Sequence, residues 1–305
     1  MIKLTTKTII FALCAMFIIG SVSTAYARAE KAEKEKREKQ ESETVREKIE
    51  SGKKVSVHKI IKSADSELMY SEGLKYYERE KWKQAGNLFD ASLPYFVGNM
   101  QEDSITFFTA RCKFKQRDYT NATVELDEFR RKFGRSIFIE DAEAMLAMCY
   151  YYLAPDATRD QTVTGEAIVA FSEFIERYPN SKRVEAFSGL ITELTERLKE
   201  KAYLNAYTYF KIQRYNSAIV AMRNALKTYP ETPYREKMLY LITVSNYQVA
   251  HNSIEEKKGE RYLNVLDSYY SFINEFPESK YRKELERYTK EAKDYLDKNN
   301  IDKQK

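Results

Sequence analysis

Two histidines, three cysteines and nine glycines are all that 305 residues offer for metal ligation, thiol chemistry or phosphate-cradling loops. His58 and His251 stand far apart, and only Cys112 and Cys149 lie in the body of the chain, so no zinc-type spacing occurs. There is no phosphate loop, nucleophile elbow or paired-carboxylate motif. Aspartates and glutamates are numerous, but they fall three or four residues from lysines and arginines, as on solvated helix faces. The expectation is a protein that binds other proteins, without enzymatic activity, metal or cofactor. Cys112 and Cys149 read as inert thiols buried on neighbouring helices, with a disulfide as the alternative.

Tyrosine is the residue in excess, with 24 copies. Adjacent helix residues point about 100° apart, so runs such as Tyr76-Tyr77, Phe107-Phe108 and Tyr150-Tyr151 cannot all face inward. They are the candidates for an aromatic groove that holds an extended peptide or a partner helix.

Helices must position these rings, and an internal repeat says which. "ERYPNSKRVEAF" and "NEFPESKYRKEL" share an aromatic, a proline and a serine in register. Upstream of such marks run stripes three or four residues apart. They comprise Trp82, Ala85 and Phe89; Tyr119, Ala122 and Phe129; Ala167, Phe171 and Phe174; Tyr215 and Ala218; and Tyr262, Tyr269 and Phe272. Five copies follow one another at intervals of 37 to 51 residues, each a helical hairpin that buries its face only by stacking on neighbours. The stripes match the tetratricopeptide (TPR) pattern. This predicts an all-α, right-handed solenoid of five TPR-like hairpins over 57–298, closed by a last helix from Lys280 to Lys298. Ser181 and Ser279 are candidate N-caps.

The ends read differently. Lys3 and Lys7 precede an apolar run from Ile9 to Val22 and a small-x-small site at Ala25-Tyr26-Ala27, predicting a signal peptide over 1–27. Lipidation at Cys14 is the less favoured route, because the bulky Leu13 stands where a small residue is expected, and an uncleaved anchor ranks third. Residues 28–56 form a charged neck read as a solvated spacer, either an extended tether or a single solvated helix favoured by its Glu/Lys content, and poor in the apolar residues a coiled coil needs. Residues 299–305 are a polar tail. The formal charge of +5 is mild and interspersed, which argues against a nucleic-acid surface.

"KIIKSADSELMYSEGLKYYEREKWKQAGNLFD", "PDATRDQTVTGEAIVAFSEFIERYPNS" and "RYLNVLDSYYSFINEFPESKY" together resemble the BamD family, periplasmic five-TPR proteins of the machinery that assembles outer-membrane β-barrels in Gram-negative bacteria. The spacing of Asp160, Gln161, Thr164 and Ala167 is its most specific part, because TPR packing does not demand it; an Asp/Gln pair opening a helix is expected to cap it and hold the preceding loop. The resemblance implies a scaffold at the inner face of the outer membrane. Its partners would be the POTRA domains of a BamA-like insertase, unfolded outer-membrane β-barrel proteins and other Bam subunits. Family members are typically lipoproteins acylated close to the first repeat, from which the poor site at Cys14 and the neck depart. The competing reading is another periplasmic TPR adaptor that couples cell-wall synthesis or division to the outer membrane.

Overall fold

The computed structural model describes residue 28 and residues 30–299, so the signal-peptide segment, Cys14 and nearly all of the tail lie outside the described residues. Every regular element among the described residues is helical, and apart from one 3-10 turn at Leu93–Tyr95 all are α-helices. In chain order they are α1 (residues 30–50), α2 (Val57–Lys62), α3 (Ser66–Glu78), α4 (Trp82–Ser92), α5 (Glu102–Lys115), α6 (Tyr119–Lys132), α7 (Ile139–Leu153), α8 (Thr162–Arg177), α9 (Val184–Lys211), α10 (Tyr215–Thr228), α11 (Arg235–His251), α12 (Glu255–Glu275) and α13 (Arg282–Lys298). The fold is all-α and TPR-like. It divides into two compact units, the first ending at Cys149 and the second starting at Tyr150.

In the first unit, α3 packs on α4, α4 on α5 and α5 on α6; in the second, successive helices from α8 to α13 pack in the same way. The stripe residues fill these seams. Ala85, Phe89, Ala122, Phe129, Ala167, Phe171, Phe174, Ala218 and Phe272 are at most 1% exposed, Tyr262 and Tyr269 are buried, and Trp82, Tyr119 and Tyr215 are half-buried. Alanine admits a close helix crossing and the phenylalanine beside it fills the gap. Gly73 of α3 serves a close approach, because a Cβ there would lie 2.7 Å from the Phe89 ring. Cys112 and Cys149 are buried free thiols, and desolvation pushes both up to about 12.

Two kinds of turn recur. Between α3 and α4, α5 and α6, and α9 and α10, the chain reverses through Glu80, Arg117 and Gln213, with φ of 57°, 63° and 60°. The next amide in each case reaches back to Tyr76 O, Lys113 O or Tyr209 O at 2.9–3.0 Å, which makes these Schellman ends built without glycine. Placing a side chain in that left-handed region costs roughly 1 kcal/mol per site.

The second turn leads from a hairpin's second helix to the next hairpin. Ser136, Ser181, Thr232 and Ser279 donate their amides to the aromatic three residues before, and their hydroxyl oxygens accept from the amide two residues on, at 3.1–3.4 Å. Ser181 and Ser279 are therefore not the N-caps expected. Helical geometry starts later, with Arg183 and Tyr281 in the cap positions, because the hydroxyls are spent closing the turn.

The neck departs from a solvated spacer only in its last turns. It is helical over residues 30–50, about 30 Å at about 1.5 Å per residue. Exposed i,i+4 pairs support its first half, with Glu33–Arg37 at 2.7 Å and Lys34–Glu38 at 3.9 Å. Its last turns are docked instead. Val45 is buried with Ile60, Leu68, Met69 and Leu88, and Ile49 packs against the same cluster. Arg46 grips Asp65 at 2.6 and 2.8 Å while Ser42 donates to the same carboxylate at 2.5 Å. Two apolar residues four apart suffice to seat the helix once α2 and α3 offer an apolar seat.

Candidate partner-binding surfaces

Four of the six candidate groove residues belong to the first unit. The Tyr77 ring meets Trp82 at 5.1 Å and Phe108 at 5.0 Å, and Phe108 stacks on Phe89 at 5.8 Å. The Arg111 guanidinium lies 5.7 Å from the Tyr77 ring and completes a half-exposed aromatic-cationic set. Burial pushes the Tyr77 hydroxyl up. Tyr76 is half-buried, packed toward the cluster that receives the neck. Phe107 does not line a groove: it is 1% exposed and stacks on Phe138 at 4.7 Å, because its face of α5 points at α6.

Tyr150 and Tyr151 fall in the second unit and are both half-buried. The Tyr151 hydroxyl donates to Glu193 at 3.0 Å while its ring lies 6.4 Å from Phe171. Burial and this carboxylate together push its pKa up.

The larger surface in the second unit escaped the sequence reading. On α11 and α13, Tyr240 stacks on Tyr281 at 4.1 Å and Tyr247 on Tyr288 at 4.2 Å. Tyr240 and Tyr288 both donate to Glu284, at 3.0 and 3.1 Å. Tyr247 donates to Glu291 at 2.7 Å, and His251 Nδ1 lies 3.3 Å from the same carboxylate. The Lys237 ammonium stands 4.7 and 4.6 Å from the Tyr240 and Tyr281 rings, and the Arg287 guanidinium 5.1 Å from Tyr288. Farther along α13, Tyr295 donates to Glu255 at 2.9 Å. A shorter stack joins Tyr203 of α9 to Tyr207 at 5.6 Å and to Tyr234 at 4.6 Å. Burial first, and the facing carboxylates second, push the Tyr240 and Tyr247 hydroxyls well above the ordinary tyrosine range, so both are donors at any physiological pH. The ladder presents ring edges, carboxylates and cations together, a surface suited to a polar, aromatic protein partner.

One signal for this ladder is visible in the sequence. Tyr281, Tyr288 and Tyr295 recur every seven residues, Glu284 and Glu291 do likewise, and Tyr240 and Tyr247 carry the same interval on α11. An interval of seven returns to nearly the same helix face.

The segment between α7 and α8 is held as a fixed loop. Gln161 donates to Asp156 O at 2.6 Å and Arg159 O at 3.1 Å, and it accepts from the buried Thr164 hydroxyl at 2.8 Å. Asp160 accepts from the Thr162 amide at 3.0 Å, opening α8. From α9, Arg197 donates to Ala154 O and Pro155 O and Lys201 to Thr158 O, at 2.9–3.1 Å. Asp160, Gln161 and Thr164 thus shape a loop. Among the described residues no group of His, Cys, Asp or Glu is arranged to hold a metal ion, and no helix is long and apolar enough to cross a membrane.

Comparison with known proteins supplies the family. The YfiO family, described as outer membrane lipoprotein, matches residues 62–261 and 195–303. The outer membrane protein assembly factor BamD of Rickettsia prowazekii is 26% identical over 198 residues, covering 65% of this chain and 77% of that protein. BamD of Caulobacter vibrioides is 22% identical over 196 residues, 63% of each chain, and the putative factor of Aquifex aeolicus is 24% identical over 56% of each. Among solved structures, the P58(IPK) TPR domain is similar at 14% identity with a TM-score of 0.37, covering 78% of this chain and 67% of that one. The YfiO match spans well over half of the chain, and the protein belongs to the YfiO/BamD family of outer membrane lipoproteins.

Proposed function

We propose that this protein is a non-enzymatic scaffold for the assembly of outer-membrane proteins, working at the periplasmic face of the outer membrane. Family membership supports the process, since the matched relatives are named outer membrane protein assembly factors. The observation that carries the scaffold reading is the α11–α13 ladder. The Tyr240, Tyr247 and Tyr288 hydroxyls are bound to carboxylates and the rings to one another, which leaves a stiff surface for recognition. A surface already ordered before binding loses less side-chain entropy when a partner arrives.

In this reading the second unit docks on the POTRA domains of a BamA-like insertase, through the ladder. The first unit receives the carboxy-terminal targeting strands of unfolded outer-membrane β-barrel proteins, at the Tyr77–Phe108–Arg111 set. Other Bam subunits would share the complex. Cross-linking in cells followed by purification and mass spectrometry tests this. Near-stoichiometric recovery of a POTRA-bearing barrel is the expected result, and recovery of a cell-wall synthase or division protein in its place would overturn the reading.

A further inference from the structure

Opposite charges balance along almost the whole chain. Residues 28–47 carry seven lysines and arginines against seven glutamates, and residues 63–305 carry 37 against 38 aspartates and glutamates. Residues 48–62 carry five lysines and one glutamate. The positive excess beyond residue 27 therefore sits on one short stretch, the end of α1, the turn after it and α2.

Local structure holds these lysines together. α1 ends in a Schellman turn at Gly52, φ 74°, whose amide donates to Ile49 O at 2.9 Å while the Lys53 amide donates to Lys48 O at 3.0 Å. Val55 and Val57 then pack against the Val45 cluster, in which Ile60 is buried. Lys53, Lys54, Lys59 and Lys62 are left exposed around that anchored backbone. Docking of the neck completes the patch: Arg37 and Lys48 of α1 and Lys59 and Lys62 of α2 line one open groove, with Glu41 the single acid in its wall.

Few of these charges are spent. Arg37 pairs with Glu33 at 2.7 Å and Lys62 with Glu41 at 3.3 Å. The ammonium groups of Lys48, Lys53, Lys54 and Lys59 have no carboxylate partner among the described residues. Four unpaired cations on a fifteen-residue stretch leave a local field that the rest of the chain does not cancel.

We propose that this lysine patch binds a bilayer surface carrying anionic phospholipid, its ammonium groups meeting lipid phosphates. Ammonium groups on flexible stems act as point charges that can follow mobile phosphates, and clustered lysines gain affinity at such a surface with each added charge. No phenylalanine, tyrosine or tryptophan stands among residues 48–62 to stack a nucleic-acid base. This step rests on the outer-membrane location proposed above; the YfiO family is one of outer membrane lipoproteins.

The test measures binding of the protein, purified from envelope fractions, to vesicles of phosphatidylcholine with or without phosphatidylglycerol. Wild type should bind the phosphatidylglycerol vesicles at least about tenfold more tightly, and the preference should vanish near about 1 M salt. Lys53→Glu/Lys54→Glu/Lys59→Glu should abolish it with the melting temperature unchanged, since these side chains are exposed, and the same three changed to glutamine should weaken it. Arg223→Glu/Lys227→Glu/Lys257→Glu, three exposed positions of the second unit, makes the same change in net charge and should keep it. Equal binding of wild type to both vesicles, a preference that survives in the lysine variants, or an equal loss in the second-unit variant would each overturn the proposal. Vesicle binding involves no protein partner, so such a failure would leave the scaffold reading standing.

Discussion

The first and second units apply one hairpin pattern to different side-chain chemistry. In the first, phenylalanines meet one another in dry seams: Phe89, Phe107 and Phe129 are at most 1% exposed, with Phe138 stacked on Phe107. In the second, the rings beyond the stripes include tyrosines in near-parallel stacks, Tyr240 with Tyr281 and Tyr247 with Tyr288, and the hydroxyls of Tyr240 and Tyr247 are pinned by glutamates 44 residues on. Apolar burial scales with area and tolerates no water, whereas a stacked tyrosine can hold its geometry at a wet surface. The first arrangement makes a core, and the second makes a surface stiff enough to be read by another protein.

The contrast is sharpest at the core. Phe129→Ala should destabilise the first unit by about 3–5 kcal/mol, through lost burial and a residual cavity. Amide exchange should show the loss in α5 and α6, and a loss below about 1 kcal/mol would break the claim that this unit rests on its phenylalanines.

A smaller effect belongs to the clamp under the neck. Burial opposes ionisation of Asp65, but hydrogen bonds from Arg46, Ser42 and the Leu68 amide outweigh it and hold the carboxyl at about 2. Its folded value lies below the unfolded one near about 3.9, so its contribution is complete above that pH and is lost as pH falls toward 2. Asp65→Asn should cost about 1–2 kcal/mol at neutral pH and flatten the acid dependence. Exchange or proteolysis of residues 30–50 between pH 5 and 2, in wild type and variant, measures it.

In the second unit single changes should be milder. Tyr247→Phe removes one hydrogen bond to Glu291 and keeps the ring stack, so a loss of about 0.5–1.5 kcal/mol is expected in thermal unfolding. A loss as large as that of Phe129→Ala would erase the distinction between the units. Smallest of all, Gln213→Gly should stabilise by about 0.5–1 kcal/mol, since glycine enters the left-handed region without strain. A destabilisation would show that the Gln213 side chain has a role of its own.

The stripes were legible because alanine, aromatic and proline at helical spacing leave few alternative packings. Trp82 to Phe89 and Ala167 to Phe174 could hardly do otherwise than face a neighbour. The ladder was hidden because its pairs, Tyr240 with Tyr281 and Tyr247 with Tyr288, join only in space. Val45 and Ile49 were obscured by the charges around them, and the docking site that makes them matter lies on α2 and α3. Glu80, Arg117 and Gln213 gave no warning of left-handed turns, because glycine, the usual marker, is absent. Ser181 and Ser279 were legible as polar residues at helix starts, but a hydroxyl that closes the turn carries the same signature as one that caps the helix. Asp160 and Gln161 were legible as a pair that opens a helix and holds the loop before it, and the bonds of Gln161 to Asp156 O and Arg159 O supply that hold.

The most direct measurement is the affinity of the full chain for the POTRA domains of its cognate insertase, by calorimetry. Three proteins are compared: wild type, Lys237→Glu/Arg287→Glu on the ladder, and Tyr77→Ala in the first unit. Both ladder cations lie over tyrosine rings near the surface, so their reversal should leave the fold intact. The ladder variant should bind at least about tenfold more weakly and Tyr77→Ala about as well as wild type. Unchanged binding by the ladder variant, or an equal loss in Tyr77→Ala, would contradict the assignment of docking to the second unit.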